Sequence, residues 1–202
     1  MRLAPAAVSV LVLALLGAGP SPFQPYQFLA QGARWNYVCN DGITATRAIT
    51  LGSIGTQAGY ADTFAFNVPG QPSVQFGELE LNDSQGTRTA GFLFAPTFPS
   101  IAISPPQIEF AINPVIGQSV SFPDGAGGVV TVTYQGFANV SVPAGIYNAG
   151  VFTESSNSAQ PPIPFPRTLY MVRGMGVVEF QQAAWPAQNL PAATCGLFSF
   201  NL

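Results

Sequence analysis

Val129–Phe152, VVTVTYQGFANVSVPAGIYNAGVF, followed after a Ser/Asn/Pro-rich break by Arg167–Phe180, RTLYMVRGMGVVEF, decides the fold class. In the first stretch Val130, Val132 and Tyr134 share one face and Thr131, Thr133 and Gln135 share the other, which is the period of a β-strand. Gly136 shifts that phase, as a bulge would. Pro143-Ala144-Gly145 makes a tight connection into a second strand, Tyr147 to Glu154. The polar, proline-rich stretch from Ser155 to Pro166 is a loop, and Arg167–Phe180 closes as a hairpin around Arg173-Gly174-Met175-Gly176. Alternation interrupted by turn residues predicts antiparallel strands.

The same pattern extends towards the N-terminus. In Ala33–Thr50, ARWNYVCNDGITATRAIT, the residues Trp35, Tyr37 and Cys39 alternate with Asn36 and Val38. Asn40-Asp41-Gly42 then supplies residues that tolerate positive φ, so the segment is a β-hairpin. Short strands follow at Thr63–Val68, Val74–Leu81 and Thr87–Phe94. From Ala95 to Pro114 the rhythm breaks at Pro96, Pro99, Pro105, Pro106 and Pro114, residues that cannot donate to a central ladder. This part is expected to be a surface crossover between two halves of one sheet. Pro123 to Gly128 is a glycine-rich hairpin loop and not a phosphate cradle, because neither Lys nor a helical run follows it. The expected fold is all-β: a single strongly curved antiparallel sheet or open half-barrel of roughly ten short strands, with few or no helices.

Composition narrows the setting. A chain of 202 residues suits one domain that buries roughly two thirds of its unfolded surface. Charged residues are only 7% against 48% hydrophobic, far below the usual charged share of about 25%. Six arginines, spread along the chain, are the only cations, so no basic stripe exists for nucleic acid or for anionic lipid. Met1-Arg2 followed by the apolar run Leu3–Leu16 has the pattern of a signal peptide. The run is shorter than the roughly 20 residues of a membrane span, and no Cys follows it to accept a lipid. The expected organisation is a signal peptide at 1–18, an unstructured segment at 19–32 and a single β domain at 33–202. No transmembrane span is expected after cleavage, and the destination is the periplasm or the extracellular space. Cys39 and Cys195 are the two cysteines; in an oxidising compartment one bridge is expected, the alternative being two buried thiols.

One resemblance rests on particular residues. Pro114-Val115-Ile116-Gly117, then Gly136-Phe137-Ala138-Asn139-Val140-Ser141-Val142-Pro143-Ala144-Gly145-Ile146-Tyr147, then Tyr170 to Phe180, resemble a unit of uncharacterised bacterial exported β proteins. In those proteins a VxVPAGx[FY] strand-turn-strand is followed by a GxG[VL]V hairpin. The resemblance implies a curved antiparallel sheet, akin to the half-barrel of periplasmic lipoprotein carriers. It brings no catalytic role. The chain departs from many such proteins in lacking a lipid-attachment cysteine and in its proline-rich middle.

Chemistry-bearing residues are sparse. Without histidine or lysine, Ser-His, Cys-His, His-metal, Ser-Lys and Schiff-base arrangements cannot form within the chain. Glu78 and Glu80 are the one close acid pair, at i and i+2 on a strand, and paired carboxyl groups are what glycosidic cleavage uses. Leu79 and Leu81 alternate with them, which predicts that the acids form a solvent face. Calcium ligation by Asp83 with Asn82 and the nearby glutamates has only one carboxylate in the turn itself. Asp41, Asp83 and Asp124 sit beside Gly or Ser, where the carboxylate bonds its own turn. Asn82-Asp83-Ser84 and Asn139-Val140-Ser141 match a glycosylation tripeptide too common to assign a sugar. Aromatics at strand spacing belong to the core; Phe98, Phe165 and their prolines are the candidates for exposure. No catalytic residue, cofactor-binding residue, cofactor or metal ligand is assigned, and Cys39 and Cys195 are the disulfide pair. The expectation is a non-catalytic exported envelope or secreted protein that binds an apolar ligand or an envelope protein. The alternatives are a structural or adhesion role, or a hydrolase using Glu78 and Glu80.

Overall fold

The computed structural model describes residues 24–94 and 100–202. The expected signal peptide, its cleavage point and Phe98 lie outside the described residues. Twelve strands form one antiparallel sheet, nearly closed into a barrel, against the ten expected. They are β1 (Arg34–Cys39), β2 (Thr44–Ile54), β3 (Gln57–Asn67), β4 (Val74–Asp83), β5 (Gly86–Phe94), β6 (Ile101–Ala111), β7 (Ser119–Pro123), β8 (Val129–Val142), β9 (Gly145–Ser156), β10 (Arg167–Val172), β11 (Gly176–Gln182) and β12 (Ala193–Asn201). Two one-turn 3₁₀ segments, Asn40–Gly42 and Pro186–Gln188, are the helical elements among the described residues.

Each strand pairs with its neighbours in the chain except at β6 and β7, and β12 pairs with β1, giving the order β6-β5-β4-β3-β2-β1-β12-β11-β10-β9-β8-β7. The terminal strands therefore meet in the middle of the sheet, and its free edges, β6 and β7, are consecutive in sequence. The β1–β12 join is closed covalently: Cys39 stands opposite Cys195 and their sulfurs are bonded. The bond spans 156 residues; closing a loop of that length removes about 5 kcal/mol of denatured-state entropy by chain statistics.

The proline-rich middle is a strand in part, which corrects the expectation of a surface crossover. Pro105 and Pro106 lie inside β6. They are tolerated because β6 is an edge and because its pairing with β5 skips from Gln107 to Ala102, so the prolines fall where the ladder is interrupted. The β8–β9 pair shifts register between Tyr134 and Gly136, and Gly136 has φ +107°, a conformation that favours glycine. Beyond that bulge the hairpin tip outruns β10 and reaches β12, where the Ala144 amide donates to the Leu197 carbonyl at 2.9 Å.

Inside, one aromatic group joins Phe180 edge-on to Tyr37, Phe64 and Phe66, with ring centroids at 5.2, 5.5 and 5.8 Å. A second places Phe152 against Tyr26, Phe110 and Tyr134 at 4.9 to 5.1 Å. Tyr26 belongs to the segment 24–32, which has neither helix nor strand yet is packed into the barrel, with Tyr26 1% and Gln27 2% exposed. These side chains pack the middle of the barrel.

Candidate functional site

The charged residues of this charge-poor chain are concentrated inside the barrel. Asp62 on β3, Glu78 and Glu80 on β4, Glu109 on β6 and Glu154 on β9 are all buried, as are Arg47 on β2 and Arg167 on β10. Five of the chain's nine acids and two of its six arginines thus share one interior. The expectation that Glu78 and Glu80 form a solvent face is wrong: they are 5% and 0% exposed. Phe76 lies on the same face as both, packed on Phe64 at 5.9 Å, and carries them inward. Leu79 instead takes the outer face and is still fully buried. It lies over glycines: a Cβ at Gly52 or Gly59 would stand 3.6 or 3.3 Å from its Cδ1.

Arg47 binds Asp62 with Nε at 2.8 and 2.9 Å from the two carboxylate oxygens and Nη2 at 2.7 Å from Oδ2; Nη2 also donates to Gln27 Oε1 at 2.5 Å. Its guanidinium lies 4.3 Å from the Trp35 ring centre, and Gly176 leaves it room, since a Cβ there would strike Nη1. Burial alone would lower the Arg47 pKa, but Asp62 outweighs it and holds the cation. Arg167 donates from Nε to Glu154 Oε2 at 2.6 Å and reaches both Glu78 oxygens at 3.4 Å. The charges of Glu154, Glu78 and Glu109 likewise overcome the burial that would discharge Arg167.

Five carboxyl groups face two guanidiniums, and the excess appears in their proton affinities. Burial, opposed by Arg167, raises Glu78 from 4.5 to about 7. Burial and then the charges of Asp62 and Glu78 hold Glu80 well above the ordinary carboxylate range. Burial followed by Glu78 and Glu154 does the same to Glu109, and burial raises Glu154 against the pull of Arg167. One oxygen each of Glu78, Glu80 and Glu109 lies within 4.8 Å of the others. Gln27 Nε2 donates to Glu80 Oε1 at 3.3 Å and the Thr89 hydroxyl donates to Glu109 Oε2. Glu80 Oε2, Arg47 Nη1 and both amide atoms of Gln182 are buried without a hydrogen-bond partner, and the Glu109 and Glu154 carboxyls lie within hydrogen-bond reach of each other.

The turn acids behave differently. Asp83 accepts from the Gln85 and Gly86 amides at 2.7 and 3.2 Å and from Arg88 Nε at 2.5 Å, so it is tied to its own turn and not to the glutamates. Asp124 accepts from the amides of Ala126 and Gly128 at 2.9 and 2.8 Å.

At one end of the barrel lies a groove of about 730 Å³, walled by the loops 156–165 and 184–188 together with Ile101 and Ala126. Trp185, Phe165, Pro161 and Pro186 dominate it, and no lining residue is charged. Trp185 is fixed by mutual backbone bonds with Leu190 and by an edge-on contact with Phe76 at 5.8 Å. The Arg167 guanidinium lies 5.3 Å from the Phe165 ring centre, which puts the groove wall against the charged interior. Phe165, a candidate for exposure from its proline setting, is instead half-buried in this wall and packed against the core.

Fold and interior define a nearly closed twelve-stranded antiparallel β protein with a charged centre. No family model and no curated protein matches the chain. Among solved structures it is similar to a "putative exported protein with YMCC-like fold" from Bacteroides fragilis, at 11% identity and TM-score 0.43, covering 89% of this chain and 99% of that one. It is similar also to a "putative lipoprotein" from Parabacteroides distasonis, at 10% identity and TM-score 0.41, covering 88% and 99%.

Proposed function

We propose that the chain is a non-catalytic exported protein of the cell envelope or extracellular space whose end groove binds an apolar ligand. The groove carries this reading: its volume is that of small-molecule sites, its walls offer Trp185, Phe165 and Ile101, and it presents no charge. The ligand class is therefore uncharged and apolar over the part that enters, such as an acyl chain. Export is supported by the apolar leader from Leu3 to Leu16 and by the Cys39–Cys195 bond, which suits an oxidising compartment. A hydrolytic role for Glu78 and Glu80 fits poorly, because both are enclosed in a packed interior where no substrate bond can reach them. The second reading, docking of an envelope protein, is favoured by Ile116 and Phe137, which flank the Gly136 bulge at 72% and 59% exposure.

Native mass spectrometry of protein purified from its own host, combined with titration of a fluorescent acyl probe, tests the groove. A co-purified lipid or saturable probe binding, weakened at least tenfold by Trp185→Ala with Phe165→Ala, is the expected result. A folded protein that binds no probe and carries no lipid, or binding untouched by the double substitution, overturns it.

A further inference from the structure

We propose that Glu78, Glu80 and Glu109 form a binding site for a hard divalent cation, calcium by size, enclosed in the barrel beside the seam between β6 and β7. This is independent of the groove.

The donor set comes first. Three glutamates from β4 and β6 each place an oxygen within 4.8 Å of the other two. Calcium takes oxygen ligands at about 2.3–2.6 Å, so oxygens on opposite sides of one ion stand about 5 Å apart. The three oxygens thus stand no farther apart than one calcium shell allows. Zinc and copper prefer imidazole or thiolate; the chain has no histidine, and both cysteines are bonded to each other.

The second observation is an orphaned oxygen. Glu80 is 0% exposed and its Oε2 has no hydrogen-bond partner, while the Glu109 carboxyl, 2% exposed, lies within hydrogen-bond reach of the Glu154 carboxyl. Buried carboxylate oxygens are costly to leave unmatched. The two buried arginines supply the match only in part: Arg47 spends Nε and Nη2 on Asp62 and Gln27 and keeps a buried Nη1 without a hydrogen-bond partner, and Arg167 binds Glu154 with a longer reach to Glu78. A divalent ion would supply two of the three positive charges that the interior lacks. One proton on a carboxyl group would supply the third.

The third is access. Glu109 also lines a void of about 10 Å³ with Gln118, Val120, Val132 and Tyr134, which is the space of about one water. It lies where β6 and β7 have no ladder between them. Of the three glutamates Glu109 alone lines it, so an ion entering at the seam would meet Glu109 first, without breaking paired strands.

The test uses the full mature chain, stripped with a chelator, unfolded in denaturant and refolded with or without calcium chloride so that slow entry cannot hide binding. Elemental analysis after gel filtration should find about one calcium per chain, and melting temperature should rise saturably with calcium. Glu109→Gln and Glu80→Gln should each weaken the calcium response at least tenfold, while their far-UV circular dichroism and calcium-free melting match or exceed the parent. Glu179→Gln, on an acid outside the cluster, should leave the response intact. The proposal falls if the refolded parent retains no metal and does not respond to millimolar calcium, magnesium or manganese, for then protons alone neutralise the glutamates. It falls equally if Glu179→Gln or Asp83→Asn abolishes the response while Glu109→Gln does not.

Discussion

Arg167 stands directly opposite Glu154 across the β9–β10 ladder, and its Nε donates to Glu154 Oε2 at 2.6 Å with both side chains sealed from solvent. Buried pairs contribute little net stability against apolar replacements, but removing one member leaves an uncompensated charge. Arg167→Met is therefore expected to destabilise the fold by about 3–5 kcal/mol. Glu154→Gln added to it should recover part of that loss, since the arginine's closest charged partner is then neutral. Urea unfolding of the four proteins of this cycle measures the coupling. Additive effects would show that Arg167 and Glu154 do not act as a pair.

Phe180 links β11 to β1 and β3 through its edge-on contacts with Tyr37, Phe64 and Phe66. It joins the two halves of the sheet next to the disulfide, opposite Cys195 in the β11–β12 ladder. Phe180→Ala should cost about 3–5 kcal/mol, as truncations of core aromatics do. A loss under 1 kcal/mol in denaturant unfolding would mean that the two halves are held together elsewhere.

The ladder was legible because period-2 alternation survives in nearly every segment; Trp35, Tyr37 and Cys39 all point inward as their spacing predicts. β6 was hidden because its prolines break the local signal, and only pairing on an edge makes it a strand. The charged interior was misread for a different reason. In Glu78-Leu79-Glu80-Leu81 local alternation points to the leucines as the inner face, whereas Phe76 two positions before Glu78 marks the true one. The same signal recurs: Asp62 lies two residues from Phe64, Glu154 two from Phe152, and Arg167 two from Leu169, each pair buried on one face. Charges in phase with aromatics on several strands show a charged core that no single strand reveals. The convergence of Glu109 with Glu78 and Glu80 had no local signal, because the register shifts between β5 and β6 set it.

Acidity provides the next test. Burial, then Glu154 from β9 and Asp62 from β3, raise Glu78 to about 7 against the pull of Arg167 from β10; burial and neighbouring carboxylates hold Glu80 and Glu109 well above the ordinary carboxylate range as well. A carboxyl group whose folded pKa exceeds its unfolded value stabilises the fold below the unfolded value, and this is lost as pH rises through the folded one. In calcium-free buffer the melting temperature should therefore fall between about pH 5 and pH 8. Asp83, which Arg88 and its turn amides hold below 3.8, has the opposite sign but acts only at more acid pH. Glu78→Gln should flatten the fall. A melting temperature that rises across this window in the parent would contradict a proton-holding interior.

The Cys39–Cys195 bond joins the strands nearest the two ends of the described chain across 156 residues, and it does so where backbone pairing already exists. Its effect should therefore lie chiefly in the unfolded state, with the native ladder intact without it. Cys39→Ala with Cys195→Ala is expected to lose up to about 5 kcal/mol, less whatever structure the reduced unfolded chain retains. The far-UV spectrum should remain that of a β protein. The loss should also appear mainly in faster unfolding, because breaking the β1–β12 pairs then opens the barrel at its centre, where two six-stranded meanders meet. Stopped-flow unfolding in urea distinguishes the cases. An unchanged unfolding rate with slower folding would place the β1–β12 pairing in the folding nucleus instead, and an unchanged stability would refute the bond as a brace of the fold.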